Sequence, residues 1–243
     1  MKKVLLIILA SLVFGCNDPD APDCLKSAGD VITFSTKLDI FNSIEVNDEF
    51  IVTLRTDSDR SITITTGENL LPNVRFEIVN DRLILADDNG CRWVRDYNFP
   101  EVIITSPELT EIRQNGGGIV KSNEELTFDN FKMISKDHSG DFDLVVSSRI
   151  IQISNNDVSN FKIAGYTKKL IIGFASGDGR FDGSELEADE VEIFQRGTND
   201  IVVHALESLS GRIISNGNVI YTKTIPPVLD VSMEGSGKLI FRE

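Results

Sequence analysis

Apolar and polar residues alternate along most of this chain after residue 24. The period is two in segments such as Ile62-Thr63-Ile64-Thr65, Val74-Arg75-Phe76-Glu77-Ile78 and Val191-Glu192-Ile193-Phe194. Such alternation places successive side chains on opposite faces of a strand. The segments are short, and Gly, Asn and Asp, which favour turns, separate them. No segment after residue 24 has a sustained helical period, so the pattern predicts an all-β protein.

A repeated turn begins near residue 115. From Gly117 to Gly237, six steps cover 120 residues, with individual steps of 16 to 23 residues and a mean of 20. Each turn has Gly or Asn at its centre, commonly followed by Asp or Asn. The turns are Gly116-Gly117-Gly118-Ile119, Ser139-Gly140-Asp141-Phe142, Asn155-Asn156-Asp157-Val158, Ser176-Gly177-Asp178-Gly179, Thr198-Asn199-Asp200-Ile201, Asn216-Gly217-Asn218-Val219 and Ser236-Gly237-Lys238-Leu239.

The repeat predicts a β-solenoid, in which each unit of about 20 residues is one coil that stacks on the next and buries its apolar residues. Gly and Asn at the turn centre are expected to adopt a positive φ. Residues 30–114 are less regular: Phe41 to Leu54 is predicted to be a first coil, and residues 60–105 a meander that caps that end. A β-sandwich with coincidental turn spacing is the alternative.

The first sixteen residues have the pattern of a lipoprotein signal peptide. Lys2 and Lys3 precede an apolar or small run from Val4 to Phe14, which is too short to cross a bilayer but suits a signal peptide. Gly15-Cys16 then resembles a lipobox. We therefore predict a signal peptide at 1–15, palmitate-type acylation of Cys16, an acidic tether at 16–29 that is stiffened by two prolines, and one solenoid domain at 30–243.

Composition and net charge limit the classes of molecule that the protein is expected to bind. The chain has 243 residues and a mean hydropathy of −0.05, as globular proteins do. Its formal net charge is −14, and without Lys2 and Lys3 it is −16. A protein this acidic repels phosphate backbones, so nucleic-acid binding is not expected. The charge serves either solubility or a cationic partner.

Cys24 and Cys91 remain after Cys16 is assigned to the lipid. Export places them in an oxidising compartment, which predicts a disulfide between them. The bridge would fix the start of the folded domain to a later strand. Neither a CxxC motif nor a histidine-rich metal motif is present in the sequence.

These features together resemble those of a lipoprotein family of Bacteroidota-type bacteria that carries a putative auto-transporter adhesin head GIN domain. The resemblance covers residues 24–243 and depends most on Asn89-Gly90-Cys91-Arg92-Trp93-Val94-Arg95-Asp96-Tyr97, together with Glu68-Asn69-Leu70-Leu71-Pro72 and the repeated Ser-Gly-Asp and Gly-Ser-Gly turns. It implies a right-handed, β-helix-like solenoid. The biochemical role of the family is not established, and "adhesin" is a label given by analogy.

Few residues are candidates for chemistry. Four aspartates are interpreted as ordinary turn residues, and no metal site is expected; the alternative is that they stack as a ladder whose repulsion a bound Ca²⁺ would relieve: Asp141, Asp157, Asp178 and Asp200. The two histidines, His138 and His204, lie in or near turns of different coils. Trp93 and Tyr97 are predicted to form a ligand platform or to pack the solenoid end. No cofactor is expected.

The predicted function is a non-enzymatic display, adhesion or ligand-binding module anchored in the cell envelope. Its expected location is the outer membrane, at the cell surface or on the periplasmic side. Its expected partners are the lipid bilayer, through acylated Cys16, and a protein or a glycan. The alternatives are a polysaccharide lyase, since some solenoids carry that activity, and a purely structural envelope component.

Overall fold

A computed structural model describes residues 27–90, 98–136 and 139–243. These residues form a single 3-10 turn, Leu71–Asn73, and sixteen strands. The strands are β1 (Val31–Lys37), β2 (Ser43–Val46), β3 (Ile51–Arg55), β4 (Ser61–Gly67), β5 (Val74–Val79), β6 (Arg82–Asp87), β7 (Glu101–Thr105), β8 (Glu111–Gln114), β9 (Ile119–Ser135), β10 (Asp141–Asn155), β11 (Asn160–Phe174), β12 (Arg180–Gln195), β13 (Ile201–Ile213), β14 (Val219–Thr222), β15 (Val228–Met233) and β16 (Leu239–Arg242).

The strands stack as a solenoid with two faces. Face A consists of β6, β2, β8, the second halves of β9 to β13, and β15, all parallel. Face B consists of β7, β3, the first halves of β9 to β13, β14 and β16. The strands β9 to β13 have 13 to 17 residues because each one bends and serves both faces. The predicted solenoid with coils of about 20 residues is confirmed.

The order of coils in space differs from their order in sequence at the N-terminal end. The coil β2–β3 lies between the coil β6–β7 and the coil that β8 begins. Residues 60–105 therefore do more than cap the end, because β6 and β7 add a parallel coil outside the first one. Arg82 on β6 links the three face A strands, since its guanidinium lies 2.9 Å from Glu45 on β2 and 3.2 Å from Glu111 on β8.

One continuous apolar core runs along the solenoid between the two faces. Phenylalanines fill its middle coils: the rings of Phe142 and Phe161 stack with centroids 4.7 Å apart, and Phe174 contacts Phe161 at 5.9 Å. Equivalent positions of successive coils face each other directly, because the parallel register keeps each residue over its counterpart.

Buried polar side chains end several face A strands on the side where the chain turns to face B. Gln114, Asn155 and Gln195 are inside the core, and each donates from its side-chain amide to a main-chain carbonyl of its own turn, at Gly118, Asp157 and Asn199 respectively. Each bond ties the buried side chain to its turn, and the carbonyls of Gly118 and Asp157 also accept the main-chain N–H groups of Asp141 and Gly179 from the next coil. Alternation alone predicts apolar residues at these positions.

The glycines of the turn column have a different role from the predicted one. In this column only Gly177 has a positive φ, of 85°. A Cβ on Gly217 would instead lie 2.4 Å from the carbonyl oxygen of Asn199, and one on Gly237 would lie 2.2 Å from that of Gly217. Close stacking of consecutive turn backbones, rather than φ, therefore requires glycine at these two positions.

Candidate functional site

The bends of the long strands form a corner along one side of the solenoid. The inward row at this corner consists of Phe128, Ser148, Thr167 and Ala188. The Ser148 hydroxyl donates to the carbonyl of Ile150 at 3.0 Å, and the Thr167 hydroxyl donates to that of Lys169 at 3.1 Å. The two buried hydroxyls thus bind carbonyls of their own strands across the bend. Side chains that flank this row, among them Arg149, Tyr166 and Lys168, are exposed.

Outside this corner lies a shallow groove of about 410 Å³ that crosses three coils. We call it the corner groove. It is lined by Thr127, Phe128, Asp129, Ser147, Ser148, Arg149, Tyr166 and Lys168. Its volume is within the range of small-molecule sites, and it combines an aromatic ring, hydroxyl groups and both signs of charge.

Tyr166 supplies the exposed aromatic surface of the groove. Its side chain is 37% exposed, and its hydroxyl donates a 2.7 Å hydrogen bond to Asp189 on the neighbouring strand. This bond raises the pKa of the phenol, with smaller contributions from desolvation and from the charge of Asp189. The hydrogen bond to Asp189 therefore ties the ring to the neighbouring strand.

An ion pair forms the opposite side of the groove. The guanidinium of Arg149 donates to both carboxylate oxygens of Asp129, at 3.0 and 3.3 Å, and to the side-chain oxygen of Asn130 at 2.7 Å. The hydrogen bond from Arg149 lowers the pKa of Asp129. Both partners are more than half exposed, so the pair presents donors and acceptors to solvent.

The sequence did not point to the corner groove. Gly165 has a φ of 114°, and a Cβ on it would lie 2.3 Å from the carbonyl oxygen of Val146. Strand β11 nevertheless alternates regularly from Phe161 to Thr167, which leaves Tyr166 outward. The pattern can therefore place Tyr166 on the surface, but it could not pair Tyr166 with Asp189 or Arg149 with Asp129, because each partner lies on a different coil.

A second cavity of about 460 Å³ lies at the turns of the N-terminal coils, lined by Asn47, Asp48, Glu49, Asp87, Asn89, Asn115, Gly116 and Gly117. Its carboxylates hold the turns together. Asp48 accepts the main-chain N–H of Asp87 at 3.0 Å, and Asp87 accepts that of Asn89 at 2.9 Å. Asn89 and Gly90 lead directly into the predicted platform of Trp93 and Tyr97, which is outside the described residues.

The structure does not bring the four predicted aspartates into one ladder. Asp141 and Asp200 occupy equivalent positions on the stacked coils, but the two coils between them carry Asn160 and Arg180 at that position. Asp157 and Asp178 lie in the turns instead. Their bonds run between coils: Asp141 accepts from Asn160 at 3.0 Å, and Asp178 accepts from Thr198 at 2.6 Å. Among the described residues no group of three His, Cys, Asp or Glu is arranged to hold a metal ion.

The other predicted site residues have different outcomes. His204 lies in β13 next to Glu187 of β12, only 5% exposed, and both of its ring nitrogens are without a hydrogen-bond partner. Cys16, Cys24, Cys91 and His138 lie outside the described residues, so acylation and the disulfide stay predictions. None of the described residues forms a helix with the length and apolar character that a membrane span needs.

Solved structures share this fold. A putative adhesin from Bacteroides fragilis NCTC 9343 superposes with a TM-score of 0.77 at 24% identity, over 88% of this chain and 97% of that one. A putative lipid binding protein from Parabacteroides distasonis ATCC 8503 has a TM-score of 0.65 at 16% identity, over 88% and 98% of the two chains. A putative adhesin from Parabacteroides merdae ATCC 43184 has a TM-score of 0.60 at 20% identity, over 89% and 98%.

No curated protein matches the chain. The family model of the putative auto-transporter adhesin, head GIN domain, matches residues 40–224. This range contains the first coil β2–β3, the corner groove and the coils up to β14, and it confirms the family that the sequence resembles. The chain belongs to the family of the putative auto-transporter adhesin, head GIN domain.

Proposed function

We propose that this protein is a non-enzymatic binding module of the cell envelope that presents its corner groove to a glycan. The observation that carries the proposal is the combination of an exposed, fixed Tyr166 ring with the Arg149–Asp129 ion pair across a groove of about 410 Å³. The family and its adhesin-named structures are consistent with a binding role.

The chemistry of the groove suits a sugar. A pyranose ring presents a C–H face that packs on an aromatic side chain, and its hydroxyls need donors and acceptors at the edge. Tyr166 offers the face, while Arg149, Asp129 and the hydroxyls of Thr127 and Ser147 line the same groove. Lys168 adds a cation, which favours an acidic sugar. Because Asp189 already holds the phenol, little side-chain entropy is lost on binding.

The solenoid supports presentation of the groove to a large ligand. The corner is part of consecutive coils joined by continuous parallel pairing, so its side chains have fixed spacings of about 4.8 Å from coil to coil. A rigid framework of this kind positions several weak contacts along a polymer at once. An extended polysaccharide is therefore a better ligand than a single sugar.

Glycan binding is tested with a glycan array, followed by calorimetric titration of the best ligand. Tyr166→Ala is expected to weaken binding at least tenfold, while Tyr166→Phe, which keeps the ring, is expected to have a smaller effect. Phe194→Ala is the matched control, since Phe194 is also aromatic and 37% exposed but is not among the groove residues. The proposal fails if the wild-type protein binds no glycan, or if Phe194→Ala reduces binding as much as Tyr166→Ala.

We further propose that acylated Cys16 holds the module at the outer membrane. The basic start, the apolar run and Gly15-Cys16 support this anchor. Cells grown with an alkyne-labelled palmitate should label the wild-type protein and Cys24→Ser, but not Cys16→Ser. Protease treatment of intact cells then separates surface display from a periplasmic location. Labelling of Cys16→Ser would exclude this residue as the acylation site.

A further inference from the structure

The C-terminal end of the solenoid has two unpaired strand edges. β15 pairs only with β13, and β16 pairs only with β14, among the residues that the structure describes. Both strands therefore expose main-chain donors and acceptors along one side. Exposed edges of this kind favour pairing with another strand, and proteins ordinarily block them with charges, prolines or bulges.

The apolar core is open at the same end. Leu229, Met233 and Phe241 lie in register with Leu209, Ile213 and Tyr221, which are buried in the preceding coil. The three side chains of the last coil are 42%, 57% and 37% exposed. They point where the next coil of a longer solenoid would pack. Within the described residues, this apolar row of the last coil is exposed to solvent.

The N-terminal end of the solenoid has a different arrangement of strands. There β1 and β5 run antiparallel to their neighbours β4 and β6, and the rings of Phe34 and Phe76 meet across the end with centroids 6.2 Å apart. No antiparallel strand follows β15 or β16 in the described part of the chain. β1 and β5 also pair on one side only, and Val31, Phe34 and Val79 are exposed there. The ends differ in strand direction, because among the described strands only the C-terminal edges run parallel to their neighbours.

We propose that a second copy of this chain docks on the C-terminal end through a two-fold axis, so that β15 pairs with β15 and β16 pairs with β16 of the other copy. A single two-fold axis perpendicular to both faces reverses the direction of β15 and of β16 in the second copy. The β15–β15 pair and the β16–β16 pair are therefore both antiparallel. This contact is isologous and closes after two copies. It joins the two open cores into one.

The sequence of β15 fits such pairing. With Val231 on the axis, Leu229 faces Met233 of the other copy, and all three of these side chains point into the joined core. The same register sets Asp230 opposite Ser232 rather than opposite another carboxylate, which avoids repulsion between like charges. A shift of one residue would place Leu229 opposite Ser232 and lose this match.

Charge also favours this end for self-association. Residues 228–243 contain three acidic and two basic side chains, in a chain whose formal net charge is −14. The net charge of this segment is only −1, so repulsion between two such ends is small. The segment has 16 residues, somewhat fewer than the roughly 20 to 30 per side of a standard interface, so we expect a dimer of micromolar affinity.

Cysteine cross-linking in the full chain tests the two-fold axis. Val231→Cys places identical cysteines opposite each other, within reach of a disulfide, so mild oxidation should yield a covalent dimer. Ser232→Cys is the matched control, because that residue faces Asp230 of the other copy and its own counterpart lies about 8 Å away, beyond disulfide reach. Efficient cross-linking of Val231→Cys alone supports the proposal. Equal cross-linking of both variants, or of neither, overturns it.

Sedimentation of the same chain gives an independent measurement. The wild-type protein should shift from monomer to dimer between about 1 and 100 µM, the range in which a weak interface associates. Met233→Lys should remain monomeric throughout. Ile40→Lys is its control, since Ile40 is 69% exposed but is not part of the C-terminal end. A monomer at every concentration would overturn the proposal, as would open-ended polymers, which require a head-to-tail contact.

Discussion

The side-chain amide of Gln195 donates a 2.6 Å hydrogen bond to the main-chain carbonyl of Asn199, four residues further along the chain. The amide oxygen of the same side chain accepts the N–H of Gly197 at 3.0 Å. Gln195 is fully buried, Gly197 is buried as well, and Asn199 is half-buried. One side chain thus satisfies both a donor and an acceptor of the turn between β12 and β13.

Replacing Gln195 with leucine is expected to lower the free energy of unfolding by about 2 to 4 kcal/mol, because the N–H of buried Gly197 and the carbonyl of half-buried Asn199 both lose their partner. Chemical denaturation measures the change. Gln152→Leu is the control, since the side chain of Gln152 is exposed on face A and its loss should cost about 0.5 kcal/mol or less. Equal effects of the two substitutions would show that the buried bonds contribute little.

Calcium is not expected to stabilise the protein. Asp141 and Asp200 accept hydrogen bonds from Asn160 and Asn218 of the adjacent coils, at 3.0 and 2.9 Å, so these carboxylates already have partners. Thermal unfolding with and without about 1 mM CaCl₂ should give the same midpoint, since a ligand stabilises only if it binds the native state. A rise in the midpoint that Asp200→Asn abolishes would contradict this expectation and restore the cation site.

His204 is expected to make stability depend on pH. Burial lowers the pKa of His204 below its ordinary value of 6.5, and the charge of Lys223 lowers it further against the opposing effects of Glu187 and Glu185. As the pH falls below 6.5, the unfolded chain therefore binds a proton before the native protein does. Native stability declines in this window, down to the pKa of the folded state.

The variant His204→Leu tests this dependence. Leucine carries no proton and suits a site in which neither imidazole nitrogen has a hydrogen-bond partner. The midpoint of thermal unfolding should fall less between pH 7.5 and 5.5 in this variant than in the wild type. His138→Gln removes the other histidine of the chain and serves as the comparison. If His204→Leu and the wild type lose stability in parallel, His204 does not govern this pH range.

The predicted bridge between Cys24 and Cys91 can be tested by non-additivity. A disulfide that closes a loop of about 67 residues contributes about 4 kcal/mol on the chain-entropy model. Cys24→Ser, Cys91→Ser and the double variant should therefore lose the same stability, because each removes the same bond. Thiol trapping of the wild-type protein should label neither cysteine. Additive losses, or two trapped thiols, would show that the pair is not bonded.

A dimer formed through the C-terminal ends is expected to bridge two separate surfaces that each carry one copy of the protein. The chain enters the solenoid at β1, and the path from β1 to β16 contains eleven strands, about 50 Å at the usual strand spacing. Docking at β15 and β16 places the two β1 strands at opposite ends of a body about 100 Å long. Beads that carry the protein through its N-terminal tether should therefore clump.

Met233→Lys should abolish this clumping, and Ile40→Lys should leave it unchanged. Addition of untethered wild-type protein should also disperse the clumps, because it occupies the same C-terminal end. Clumping that survives Met233→Lys would show that the beads adhere through another surface. If sedimentation detects dimers but the beads do not clump, the proposed self-association would stand, and only the bridging of two surfaces would be rejected.

The alternation of residues and the spacing of the turns determined much of the fold. Period two identified strands such as β4, β5 and β12, and the recurrence of Gly and Asn about every 20 residues identified stacked coils. These features are local, because a strand shows its buried face in its own residues and a turn needs particular residues within four positions. The family followed from the same features together with the segment around Cys91.

Only the tertiary structure decided which strands are neighbours and which side chains meet. Strand alternation carries no information on partners, so the position of β2–β3 between β6–β7 and β8 could not be read from the chain. The same holds for Tyr166 with Asp189 and for Arg149 with Asp129, which are about 20 residues apart and meet because coils stack. The four aspartates show the converse. They occupy similar turns in the sequence, but the packing of whole coils sets a register that separates them in the structure.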